Sequence, residues 1–77
     1  DNIELIELVR DALIWDVDAE DDPIRRGLRY FFAGTLDARL GDFESARGHA
    51  ATAKFEFEEA YMEIPMDVNE FLDRLPQ

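Results

Sequence analysis

The sequence predicts an all-α fold, a small four-helix bundle, and three observations carry that expectation. Apolar residues recur three and four positions apart along most of the chain, which is the helical repeat. Pro23, Gly41 and Pro65 punctuate those runs, as residues that start or stop helices do. The one alternating stretch, Phe55-Glu56-Phe57-Glu58, lies inside the strongest helical register, so no strand is expected.

The first helix starts at Asp1, with Glu4 placed to close a capping box. Leu5, Leu8, Val9 and Ala12, with Ile6 and Leu13, give it a broad apolar stripe to about Trp15. The acidic run Asp16–Asp22 breaks it. Asp22 then caps a second helix that has Pro23 at its first position and runs to about Leu40. Gly41 stops that helix and Asp42 caps the third. Phe43, Ala46, Ala50, Ala53, Phe57, Ala60 and Ile64 alternate spacings of three and four, the cleanest helical signal here. Pro65 ends the run. Asp67 and Glu70 form a second capping box, and Val68, Phe71, Leu72 and Leu75 make a short last helix before Pro76.

Helices two and three, joined by Gly41-Asp42, form an antiparallel hairpin. Its residues Tyr30, Ala33, Gly34, then Gly41-Asp42-Phe43, then Ala46 and Ala53 are similar to the tetratricopeptide repeat (TPR) over about residues 30–58. The small residues let two helices approach closely. The family has a larger apolar residue where Ala33 stands, Tyr at Asp37, Phe at Ala50 and Pro at Glu58. A solenoid needs about three stacked repeats to bury its faces, and this length holds one TPR-like hairpin. The resemblance implies a protein–protein interaction role and no catalysis.

Composition bounds the function. Nineteen acidic residues against eight basic ones in 77 positions give a net charge of −11. Six Phe, two Tyr and one Trp rule out a disordered acidic tail, so the acids belong to the surface of a folded domain. Such a charge repels nucleic acid and anionic membrane and attracts basic surfaces. Arg25, Arg26 and Arg29 form the sole basic cluster, directly after Asp18, Glu20, Asp21 and Asp22, which neutralise it locally. Seven of the eight basic residues are Arg. That bias also fits salt adaptation or codon usage, in which case the acidity says nothing of a partner. The length suits one domain, residues 1–77. Absence of Cys excludes disulfides and thiolate chemistry and fits a reducing, cytoplasmic setting. No apolar run is long enough to span a bilayer, and no secretory leader is expected.

Three arrangements suggest chemistry, and each has a plainer reading. Asp16, Asp18, Glu20, Asp21 and Asp22 resemble a calcium loop, but Asp21 replaces the turn Gly and Gly27 falls where the closing acid belongs. Glu56, Glu59 and Glu63 follow helical spacing, yet a carboxylate di-iron site needs Glu-x-x-His pairs, and Ala46 stands three before His49. They read as a solvated acidic face. Ser45 and His49 share one helix without an orienting group or oxyanion donors in view. No catalytic residue, metal site or cofactor is therefore assigned.

Aromatic residues are the stronger hint. Residues two apart on a helix point nearly opposite ways, so Tyr30 with Phe32, and Phe55 with Phe57, cannot face one core. Phe55 joins a second line with Gly48, Ala51 and Met62. Either helices one and four cover that line within one monomer, or a homodimer or partner chain does. The expectation is a non-catalytic, acidic protein-interaction module. Trp15, Phe32, Phe55 and Met62 are its apolar anchors, and Asp16, Asp18, Glu20, Asp21, Asp22, Glu56, Glu59 and Glu63 its acidic rim. The partner is a protein with a basic surface, and the sharper form is an inhibitor or decoy at a nucleic-acid-binding site. The rival expectation is a calcium-binding or metal-responsive protein using Asp16–Asp22.

Overall fold

The computed structural model describes residues 2–60 and 66–76. Among them are four α-helices and no strand: α1 Asn2–Ile14, α2 Pro23–Arg39, α3 Phe43–Glu59 and α4 Met66–Arg74, with a 3-10 turn at Val17–Ala19. They pack as a small all-α bundle whose most extensive interface joins α2 to α3.

Local chemistry sets that hairpin. Asp22 accepts the Ile24 amide at 2.9 Å, with Pro23 at the first helical position. At the other end Gly41 takes a φ of +81°, a left-handed backbone that glycine adopts without steric cost. The Asp42 amide then donates to the Asp37 carbonyl at 2.9 Å and the Gly41 amide to that of Ala38 at 3.0 Å. These two bonds make a Schellman stop, which satisfies carbonyls the helix end would otherwise leave open. Asp42 immediately caps α3 by accepting the Ser45 amide at 3.2 Å. So short a link folds α3 back antiparallel on α2.

The facing surfaces are lined by small residues. Gly27, Ala33 and Gly34 of α2 and Ala46, Ala50 and Ala53 of α3 are all buried. A Cβ on Gly34 would stand 3.1 Å from the Ala46 carbonyl, and one on Gly27 only 2.6 Å from the Phe57 ring. Phe57 closes the core with Ala53 and Val68, flanked by Tyr30, Phe31 and Leu72. Helix α4 runs antiparallel to α3. It brings Phe71 edge-on to Phe31, with ring centroids 5.6 Å apart, and Arg47 of α3 donates to the Pro76 carbonyl just beyond it.

Three expectations about the helices change. Helix α3 ends at Glu59, with Ala60 as its C-cap, short of the stripe that runs on to Ile64. Glu58 and Glu59 fill its last turn, where no basic residue balances the negative pole of the helix. Residues 61–65, and the Asp1 cap, lie outside the described residues. Asp67 stands inside the first turn of α4 rather than ahead of it, where a carboxylate still meets the positive pole. Most consequential is α1, which has no buried residue. Leu5, Leu8, Val9 and Ala12, the centre of its expected stripe, are exposed, while Ile6, Arg10, Leu13 and Ile14 are half-buried. The surface offered to α1 contains a buried carboxylate, so α1 turns its arginine inward.

Two glycines test the interface. Gly27→Ala should destabilise by about 1–3 kcal/mol, because the new methyl overlaps the Phe57 ring in a packed core. Gly48→Ala meets open space and should stabilise by about 0.4–1 kcal/mol through the unfolded chain. Urea denaturation of both variants reads the difference, and a neutral Gly27→Ala would contradict the close approach.

Candidate functional site

The enclosed polar groups are ion pairs between helices. The Asp37 side chain is 1% exposed. Its Oδ1 accepts from Arg10 Nη1 of α1 at 3.3 Å, and its Oδ2 lies 2.6 Å from His49 Nδ1 of α3. The Tyr30 ring lies beside His49, with centroids 6.0 Å apart. A second pair joins Arg26 of α2 to Glu56 of α3, and Arg26 also donates to the Glu20 carbonyl. Among the described residues no buried side-chain nitrogen or oxygen lacks a partner. Burial works against the Arg10 charge, but hydrogen bonds and charge from Asp11 and Asp37 outweigh it and raise its pKa. The bond to Glu56 likewise raises that of Arg26.

Arg29 ties α1 from its far end. Its Nε donates to the Leu13 carbonyl at 2.7 Å and its Nη2 to that of Trp15 at 2.6 Å. A cation there satisfies open carbonyls and meets the negative pole of α1. Asp16 follows with a φ of 53°, a left-handed conformation that Asp tolerates better than most residues.

The acidic run Asp16–Asp22 is therefore a folded turn. Val17 is buried beneath it. Asp18 accepts the Tyr30 hydroxyl at 3.0 Å, Glu20 accepts the Asp22 amide at 3.4 Å, and Asp22 caps α2. Asp21 is exposed. Trp15, Asp16, Ala19, Glu20 and Arg29 line a shallow hollow of about 390 Å³. The hollow brings Trp15, Asp16 and Glu20 together. Among the described residues no three His, Asp or Glu side chains converge as metal ligands.

Trp15 belongs to that hollow, whereas the anchors Phe32 and Phe55 lie apart from it on α2 and α3. Trp15 is 78% exposed, Phe55 59% and Phe32 49%. Phe32 extends an outward stripe of α2 with Ile24 and Leu28, and Phe55 shares the exposed side of α3 with Gly48 and Ala51. Glu56 is a correction: it is 7% exposed and paired with Arg26, so it belongs to no solvated rim. Glu56 follows Ala53 by three residues on the buried side of α3, which turns it toward Arg26 of α2. Glu59 is exposed, and its pKa is raised by a hydrogen bond with Glu56, by partial desolvation and by the Glu56 charge. Met62 and Glu63 lie outside the described residues. Arg26 takes its carboxylate partner from α3, whereas Arg25 lies 3.9 Å from Asp22, as the local pairing of that cluster anticipates.

Among the described residues, the Asp37–His49 pair is hydrogen-bonded by its side chains only to Arg10. Ser45 is bonded to Asp42, which with the Ser45 amide lowers the pKa of that carboxyl. The sequence does contain a signal for this network. Asp37 occupies the same helical face as Tyr30, Ala33 and Gly34, and an acid on a buried face must find a partner. Arg10 interrupts the face made by Ile6 and Leu13, which marks it as that partner. No described helix is long and apolar enough to cross a membrane. Comparison with protein-family models, with curated proteins and with solved structures finds no match to this chain.

The Tyr30 contacts give a pH test. Burial, then the hydrogen bond and charge of Asp18, raise the pKa of its hydroxyl. The fold thus favours the protonated form. Its contribution is intact below the ordinary tyrosine pKa of about 10 and is lost as pH rises through the higher folded value. Stability measured in urea from about pH 9 to 11 should fall, and Tyr30→Phe should flatten the fall. An identical alkaline limb in both proteins would contradict the Tyr30–Asp18 contact.

Proposed function

We propose that this chain is a non-catalytic protein-interaction module that engages a partner with a basic surface. One observation carries the reading. Large apolar side chains stand in solvent, with Trp15, Leu8 and Phe55 each more than half exposed, on a chain of net charge −11. Exposed apolar groups of this size supply contact area when covered. Surrounding acids raise the encounter rate with a cationic surface and disfavour nucleic acid and anionic lipid. Asp16, Asp18, Asp21 and Glu59 form the rim of this reading, with Trp15, Phe32 and Phe55 as anchors. In its sharper form the partner's basic surface is itself a nucleic-acid site, and this chain competes for it.

The test is kinetic, on a partner recovered with the tagged chain from its host. Raising salt from about 0.01 M to about 1 M shortens the Debye length from about 30 Å to 3 Å. Association should slow by at least about tenfold over that range while dissociation changes less. Asp21→Lys should slow association, and Phe55→Ala should speed dissociation. Asp22 stays unchanged because it caps α2. A salt-independent association rate, or substrate turnover by the isolated chain, would contradict the reading. Simultaneous binding of nucleic acid by the partner, with no mutual loss, would remove only the competitive form.

A further inference from the structure

We infer that the outward face of α1 is a docking site for a basic amphipathic helix, an inference that rests on the interaction reading and locates its contact surface. Leu5, Leu8, Val9 and Ala12 are spaced three, one and three apart, which sets them on one face of the helix. All four are exposed, Leu8 to 66% and Leu5 to 59%. The opposite side of α1, through Ile6, Arg10 and Leu13, already lies against α2. The outward face thus has the pattern of a helix packed on both sides with one side uncovered.

The charge around the face names its occupant. Glu4, Glu7 and Asp11 follow at spacings of three and four and form an exposed strip along one edge. At about 100° per residue, Glu4 lies roughly 40° around the helix from Leu8. The only basic residue of α1 is Arg10, which turns inward to Asp37 and also contacts Asp11 at its exposed edge. The complement is a helix with an apolar stripe at i, i+3 or i+4, and i+7, flanked by Lys or Arg on the matching edge. A second copy of this chain brings another −11 to the contact and is disfavoured on charge. The outward stripe of α2, with Ile24, Leu28 and Phe32, lies among the exposed residues Arg25 and Arg39 and lacks this complementarity.

The test uses the full chain and a synthetic 18-residue Leu/Lys peptide, with a composition-matched peptide whose Leu residues no longer share a face. Binding is read by backbone amide shifts and by the fluorescence of Trp15, the sole Trp. The patterned peptide should bind at least about tenfold more tightly than the scrambled one and shift α1 amides most. Leu5→Gln with Leu8→Gln should weaken it by about tenfold or more, and Glu4→Lys with Glu7→Lys should weaken it and reduce its salt dependence. These side chains are exposed, and thermal melts confirm that the variants fold. Ile24→Ala, at an exposed position of α2 away from this face, should leave binding unchanged. If binding survives the Leu5 and Leu8 changes but is lost in Phe32→Ala or Phe55→Ala, the site is overturned and the interaction reading stands. Absence of binding, or equal binding of the two peptides, overturns the site. Ultracentrifugation of the chain alone supplies the last arm: oligomers abolished by Leu8→Gln would make a second copy the occupant and overturn the proposal.

Discussion

A carboxylate enclosed between α2 and α3 constrains everything around it. Asp37 is almost wholly removed from water, and an unpaired charge there would cost several kcal/mol. The bundle answers with one donor from each neighbouring helix, Arg10 of α1 and His49 of α3. Placing Arg10 inward fixes the rotation of α1. Leu8 and Ala12 are each two residues from Arg10, so they point away from α2 at about 200° around the helix. The exposed apolar face follows from a polar requirement in the interior.

The rest of the packing follows the same logic of close helices and few large buried side chains. Glycines and alanines bring α2 and α3 together, and among the described residues Phe57 and Val68 are the largest apolar groups fully enclosed. A core of that size leaves much of the orientation to polar contacts. Arg26 links the turn carbonyl of Glu20 to Glu56, Arg29 holds the end of α1, and Tyr30 holds Asp18. Arg10 and Arg26 are each withdrawn with a carboxylate, Asp37 and Glu56, so these pairs cancel and the net charge of −11 gives the interaction reading its electrostatic basis.

Much of the fold was legible because it depends on local signals. Asp22-Pro23, Gly41 and Asp42 act within a few residues of themselves, and the alanine stripe of α3 has one register. The rotation of α1 was not legible from periodicity, since its apolar residues spread over most of its circumference and Arg10 decides the matter through a partner 27 residues away. Glu56 was misread as solvated for the same reason: helical spacing placed it with Glu59, but its environment is set by Arg26 across the interface. In the candidate site, Trp15, Asp16 and Glu20 do meet. Phe32 and Phe55 lie on different helices and do not form one patch with them. The departure of Asp37 from the tetratricopeptide pattern was visible, and its inward register was the unused clue.

A double-mutant cycle between Arg10→Met and Asp37→Asn, in urea at neutral pH, tests the central constraint most directly. If Asp37 holds α1 in place through Arg10, the two effects are non-additive, with a coupling of about 1–3 kcal/mol. Additivity within about 0.5 kcal/mol would contradict the account, because the rotation of α1 and its exposed face would then have another cause.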